Sequence, residues 1–226
     1  MTIPIIYADT AILLCVKPAG VVSEPDRGRG LPELLSAQLR ESGQPDDIAG
    51  VHRLDKAVGG LMVFSRRKDL TGALTEQIKR REVEKEYLAV LRGRPDAPEG
   101  TLEDLLFHDS RCNKTFVVDR MRKGVREAKL SYRTLGQAED GGQILTLVRV
   151  RLHTGRTHQI RVQFASRGLP LLGDIRYGSK APCTPALWSY RLGFDHPLTG
   201  ERLNFTCPPP ETWPWTLFPI PKEGDT

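Results

Sequence analysis

The stretch Gln143–His153, QILTLVRVRLH, constrains the fold more than any other part of this chain of 226 residues. Extended, it places Leu145, Leu147, Arg149, Arg151 and His153 on one face and Ile144, Val148, Val150 and Leu152 on the other. The stretch reads as a long strand, and Thr154-Gly155 ends it. Similar runs recur. IIYADTAILLCVK reads as two short strands around a polar turn, closed by Lys17-Pro18-Ala19-Gly20. GLMVFSR is a continuous apolar run of strand length. VEKEYLAVLRG alternates, with Lys85, Tyr87, Ala89 and Leu91 on one face and Glu86, Leu88 and Val90 on the other. Residues 114–119 and 127–135 read as two strands of one hairpin joined through RMRKGVR, with Gly124 available for the turn.

Helical spacing interrupts these strands three times. Leu31, Leu34, Leu35 and Leu39 share a stripe in LPELLSAQLRES, as do Leu70, Ala73, Leu74 and Ile78 in the segment that begins at Asp69. RTHQIRVQFASRG supplies the third, with Thr157 as N-cap, Ile160 and Phe164 one turn apart, and Gly168 and Pro170 as the stop. No repeat or low-complexity segment divides the chain, so one domain over residues 1–226 is expected. Its Pro-rich tail, from about residue 207, should lie over the surface with Trp213 and Trp215 as anchors.

The four cysteines are widely separated and form no CxxC pair, which argues against a zinc knuckle or a disulfide framework and fits a reducing cytoplasm. The N-terminus lacks a basic n-region and meets Lys17-Pro18 too early for a signal peptide or membrane span, so a soluble protein without a membrane partner is expected. Net charge is only +5, but it is unevenly placed. Residues 101–180 hold 15 Lys and Arg against 8 Asp and Glu. Within them, residues 111–133 hold eight basic groups against Asp119 and Glu127. Lys114, Arg120, Arg122, Lys123 and Arg126 could form a polyanion-binding arm, or the segment could be a solvated hairpin.

Two places raise a chemical question. VHRLDKAVGG sets His52, Arg53, Asp55 and Lys56 immediately before a core strand, where charge is costly unless paired or used. The third helix begins amid Arg156, His158 and Arg161, although a helix N-terminus already carries about half a positive charge. An anion must offset these cations: phosphate from a bound polymer, or a carboxylate from elsewhere in the fold. Arg161 is in phase with the apolar stripe and points inward, and Asp55 is a candidate partner. Taken singly, Asp55 could be a cap or surface ion pair, Tyr87 a core strand tyrosine, and Arg53 a solvated loop residue. His52, His153 and His158 share no HxH or HExxH spacing, so no metal is expected.

HRLDK before a glycine and an apolar strand, then KEYLAV, HTGRTHQIRV and GLPLLGDIRYG in that order, resembles the RluA-type pseudouridine synthase family. ILLCVKPAGVVSEP and HPLTGERLNFTCPPP resemble the family's opening and closing segments, so the likeness spans most of the chain. Two features depart from the pattern. Val58-Gly59-Gly60 stands where Thr-Ser-Gly is usual, and there is no room for the separate N-terminal RNA-binding domain that many relatives carry.

The resemblance implies an α+β catalytic domain with a central, mostly antiparallel mixed sheet and flanking helices and loops. It implies an enzyme that isomerises uridines in ribosomal or transfer RNA, as a monomer and without a cofactor. Asp55 would be the nucleophile, attacking base or ribose, with Arg161 as its ion-pair partner and Tyr87 packed on the uracil face. Arg53 would fill the gap left when the uridine leaves its stack, since a stacked base cannot reach a carboxylate in a cleft. His52, Arg156, His158 and the basic residues of 111–133 would contact RNA. A non-catalytic RNA-binding module on the same fold is the alternative. A glycoside hydrolase would need a second carboxylic acid, and Glu84 and Glu86 fall on the strand face opposite Tyr87.

Overall fold

The computed structural model describes residues 1–24, 30–181 and 183–221. Pro25 of the opening motif, Pro182 and the last five residues of the tail lie outside the described residues. In chain order the elements are β1 (Ile5–Ala8), β2 (Ile12–Lys17), α1 (Leu31–Glu41), β3 (Ala49–Gly50), β4 (Gly59–Ser65), α2 (Lys68–Lys79) and β5 (Glu84–Arg92). There follow β6 (Glu99–Asp109), β7 (Lys114–Val118), β8 (Val125–Asp140), β9 (Gln143–Leu152), α3 (Gln159–Ala165), β10 (Leu187–Asp195) and β11 (Arg202–Thr206). The composition is that of an α+β fold, as expected. The chain forms two compact units, residues 1–85 with 189–207, and residues 86–188 with those from 208 onward.

In the first unit the strand order is β1-β2-β4-β10, with β11 on β10 and β3 on β4. The turn between β1 and β2 is set by Asp9, whose carboxylate accepts the Ala11 and Ile12 amides at 2.7 and 2.8 Å. Every residue of β4 is buried, which is why it reads as an unbroken apolar run and not as an alternation. Ile12, Leu14, Leu61, Val63, Leu192 and Phe194 pack with Leu74 of α2 into one core. Leu31, Leu35 and Leu39 of α1 are also buried, each worth about 1.5–3 kcal/mol. Gly60 is required where β4 begins. Its φ is +114°, and a Cβ there would come within 2.3 Å of the Ser189 carbonyl oxygen.

In the second unit the order is β5-β9-β8-β6-β7. The expected face assignment of β5 holds, because Tyr87 and Ala89 stand opposite Val150 and Val148, while Leu88 stands opposite Arg149. The expected hairpin does not form. Residues 114–118 and 125–140 are strands, but β6 lies between them and pairs antiparallel with each. β6 escapes a sequence reading because its acids are matched from elsewhere in the unit. Glu103 meets Lys129 at 2.7 Å, Asp104 meets Arg167 at 2.9 Å, and Asp109 meets Arg111 at 3.0 Å.

α3 packs Val162 onto Leu106 of β6 and Ala128 of β8. Thr157 is not its N-cap; His158 is, with a left-handed backbone (φ +56°) and no side-chain cap. In the tail Trp215 is buried and anchors as expected, whereas Trp213 is 41 % exposed. Trp213 is held instead by its indole N–H, which donates to the Asp140 carboxylate at 3.0 Å.

Candidate active site

Asp55 lies in the loop that leads into β4, and the backbone on both sides of it is pinned. On the N-terminal side, the Ser23 hydroxyl accepts the Leu54 amide at 3.0 Å and donates to the Leu54 carbonyl at 2.7 Å. On the C-terminal side, the Lys56 carbonyl accepts the Gly20 amide at 2.7 Å and the Lys17 ammonium at 3.2 Å. A turn closes where the Val58 amide donates to the Asp55 carbonyl at 3.0 Å. The Asp55 side chain is half-buried between these clamps. These bonds hold the backbone on either side of Asp55 in one geometry.

Lys17 is fully buried, and its ammonium also donates to the carbonyls of Val21 at 2.6 Å and Pro18 at 3.0 Å. Burial pulls it down to about 8, opposed by the negative charge of Asp55. Lys85 is also brought down to about 8 by burial. His52 is held well below its ordinary range, chiefly by burial and then by the charge of Lys85. Its Nε2 accepts the Val63 amide at 3.1 Å, while its Nδ1 is buried without a hydrogen-bond partner among the described residues. His52 is therefore neutral at physiological pH and offers RNA no cation. Arg53 is exposed, with a surface ion pair to Glu24 at 3.3 Å.

Tyr87 is buried on β5 at 6 % exposure. On the other face of the same strand the Glu86 carboxylate accepts the Arg149 Nε–H at 2.7 Å. Glu84 is paired with Arg202 at 3.3 Å. Each of these carboxylates is already matched to an arginine, so neither is placed as the acid that glycoside hydrolysis needs.

Arg161 points inward, and the structure supplies an anion for it. Its Nε and Nη2 donate to the two oxygens of Asp174 at 2.6 and 2.9 Å, and both residues are buried. This bidentate pair fixes the plane of the guanidinium. Asp174 sits on a tight turn: Gly173 before it has φ +77° and no room for a Cβ, which would lie 2.4 Å from the Thr184 carbonyl oxygen. The Ser179 amide donates to the Asp174 carbonyl at 2.9 Å. The Tyr177 ring lies 5.2 Å from the Arg161 guanidinium. The Tyr177 hydroxyl accepts the Thr115 amide at 2.8 Å and meets His158 Nδ1 at 3.0 Å. His158 is thus buried against Tyr177, and Arg156 donates its Nε–H to the Glu127 carbonyl at 2.9 Å.

The remaining cations are more open. Arg120, Arg122, Lys123 and Arg126 are exposed, and Lys114 is partly covered by the Phe116 and Tyr177 rings, 5.6 and 5.5 Å from its ammonium. Sequence reasoning missed Lys17, Ser23, Asp174 and Tyr177. Lys17 carried a signal, a charge at the end of an otherwise apolar strand. So did Asp174, the one acid between Arg149 and Lys180. Ser23 lies in ILLCVKPAGVVSEP and Tyr177 in GLPLLGDIRYG, stretches that carry the family resemblance but gave neither residue a role.

Residues 11–166 match the family model described as RNA pseudouridylate synthase. An uncharacterized RNA pseudouridine synthase of Aquifex aeolicus is 36 % identical over 93 % of this chain and 71 % of its own length. The ribosomal large subunit pseudouridine synthase D of Pseudomonas aeruginosa is 35 % identical over 94 % of this chain and 70 % of its own. Among solved structures, human RNA pseudouridylate synthase domain containing 1 superposes with a TM-score of 0.76 at 24 % identity, covering 93 % of this chain and 85 % of that one. That likeness concerns the fold. With a pinned aspartate in HRLDK and a family match across its whole neighbourhood, the chain belongs to the RNA pseudouridylate synthases, as one of the RluA type.

Proposed function

We propose that this RNA pseudouridine synthase uses Asp55 as its nucleophile and acts on uridines of ribosomal RNA. The observation that carries the reading is the double clamp on Leu54 and Lys56, which spends four hydrogen bonds on holding the one residue between them. The names of relatives such as the Pseudomonas aeruginosa enzyme support ribosomal RNA as the substrate.

The Asp55 carboxylate adds to the target uridine at base or ribose, and the bond between uracil N1 and ribose C1′ breaks. The base turns, and a bond forms between C5 and C1′. C5 loses its proton, N1 gains one, and the carboxylate is released, so nothing is oxidised and no external group is consumed. Arg161, its plane set by Asp174, is the cation of the reacting site. Tyr87 packs on the uracil and assists removal of the C5 proton. Arg53 occupies the gap left by the extruded base, whose unstacking costs a few kcal/mol. Arg156 and the exposed cations of 111–133 offset that cost at the phosphates, while His158 is buried against Tyr177. His52, neutral and accepting the Val63 amide, ties the start of the HRLDK loop to β4.

The test is tritium release from ribosomal RNA labelled at C5 of uracil, with transfer RNA in parallel. Release from ribosomal RNA alone is expected. Binding without release from either pool would identify a non-catalytic RNA-binding module instead.

A further inference from the structure

The cations of residues 111–133 account for attraction to phosphate, but not for the aromatic surface beside them. β7 is the edge strand of its unit, and its two faces differ sharply. Thr115 is buried and Val117 packs toward Val162, on the side covered by α3. Lys114, Phe116 and Val118 alternate onto the other side, where Phe116 is 41 % exposed. Phe116 stands directly opposite Phe107 of β6, so the two rings share that face. Arg122 lies over the Phe107 ring at 5.2 Å, and Lys114 over Phe116 at 5.6 Å. Met121 is 55 % exposed, and Val117, Val118, Asp119, Arg120 and Arg122 line a concavity at the end of β7.

An exposed aromatic costs free energy unless something covers it, and the charge beside it selects what can. A second copy of the chain, docked by two-fold symmetry, would press one basic face against another. An apolar partner would strip water from Lys114 and Arg122 without pairing them. Unpaired nucleotides satisfy both demands, because each offers a flat base for the ring and a phosphate for the cation.

We infer that the face carrying Phe107 and Phe116 is a stacking platform for unpaired nucleotides of the RNA substrate, with Lys114 and Arg122 taking their phosphates. The inference rests on the proposed action on RNA, and what it adds to the expected contacts of Lys114 and Arg122 is the pair of rings, Phe107 and Phe116.

The experiment is fluorescence anisotropy with a labelled twelve-nucleotide oligouridine and a fully paired RNA duplex of the same length. The full chain carries Asp55→Asn so that no chemistry intervenes. Phe116→Ala should weaken oligouridine binding by about tenfold, leave its salt dependence unchanged and leave duplex binding intact. Phe116→Tyr should bind like the parent, since the ring is kept. Arg122→Gln should lower the slope of log affinity against log salt by about 0.7. Parent-like oligouridine binding by Phe116→Ala overturns the inference. So does equal loss of duplex binding, which would make the ring a support for the fold, or a dimer by light scattering that Phe116→Ala dissociates. Phe116-dependent binding by a chain that releases no tritium when Asp55 is intact keeps the platform and removes the enzymatic reading; release without that dependence does the reverse.

Discussion

The Ser23 hydroxyl holds both the amide and the carbonyl of Leu54, the residue before Asp55, across 31 positions of sequence. Both atoms are buried with Leu54, so no solvent replaces the serine if it is lost. Ser23→Ala should cost about 1–3 kcal/mol in denaturant-induced unfolding, the penalty for stranding buried backbone groups. It should also lower kcat while leaving KM for RNA near the parent value, because the loop is loosened and the RNA surface is not. Equal loss in KM would mean that the clamp serves binding.

The Arg161–Asp174 pair gives a second prediction. Asp174→Ala leaves a guanidinium buried beside Tyr177 with its bidentate partner gone, and stability should fall by about 3–5 kcal/mol. Urea midpoints for Asp174→Ala and Asp174→Glu measure it. A loss under 1 kcal/mol for the alanine variant would show that the pair is dispensable to the fold.

Lys17 predicts a pH dependence. Its folded value near 8 lies below the ordinary 10.5, so between those limits the unfolded chain binds more protons than the folded one. Stability therefore rises with pH across that window, by an amount on the order of 2–3 kcal/mol from this residue. Below pH 8 both states are protonated and the burial penalty is fully present. Lys17→Met should abolish this rise, as followed by denaturant unfolding from pH 7.5 to 10.5. An unchanged slope would assign the titration to other groups, of which Lys85 is the first to test.

Gly60→Ala tests the entry to β4. A left-handed φ alone costs about 1–3 kcal/mol for a side-chain-bearing residue, and the Ser189 carbonyl leaves no space for the added carbon. Thermal melting should show a loss larger than that of Gly72→Ala, where nothing lies within 4 Å of the added carbon and alanine favours the α2 helix. Comparable melting temperatures would mean that β4 shifts to accommodate the substitution.

What the sequence made legible follows from how local each cause was. β9 and β5 declared themselves because alternation is a property of one strand and its two environments. β6 did not, because Glu103 and Asp104 look like loop charges until Lys129 and Arg167 are brought beside them. That omission also produced the wrong hairpin, since the strands flanking Arg122 pair with β6 and not with each other. At the site, the unusual charge of HRLDK was visible, but not the clamps from Lys17 and Ser23, which come from 39 and 31 positions away. The need of Arg161 for an anion could be argued from its place in a buried helix. That Asp174 supplies one depends on a glycine turn whose geometry only the folded chain reveals.

The most direct measurement is tritium release from C5-labelled ribosomal RNA by the parent chain and by Asp55→Asn, at matched RNA saturation determined by anisotropy. The account predicts release by the parent and none above background by the variant, with RNA affinity within about threefold of the parent, since the substitution keeps the shape of the side chain. Turnover by Asp55→Asn at the parent rate would contradict it.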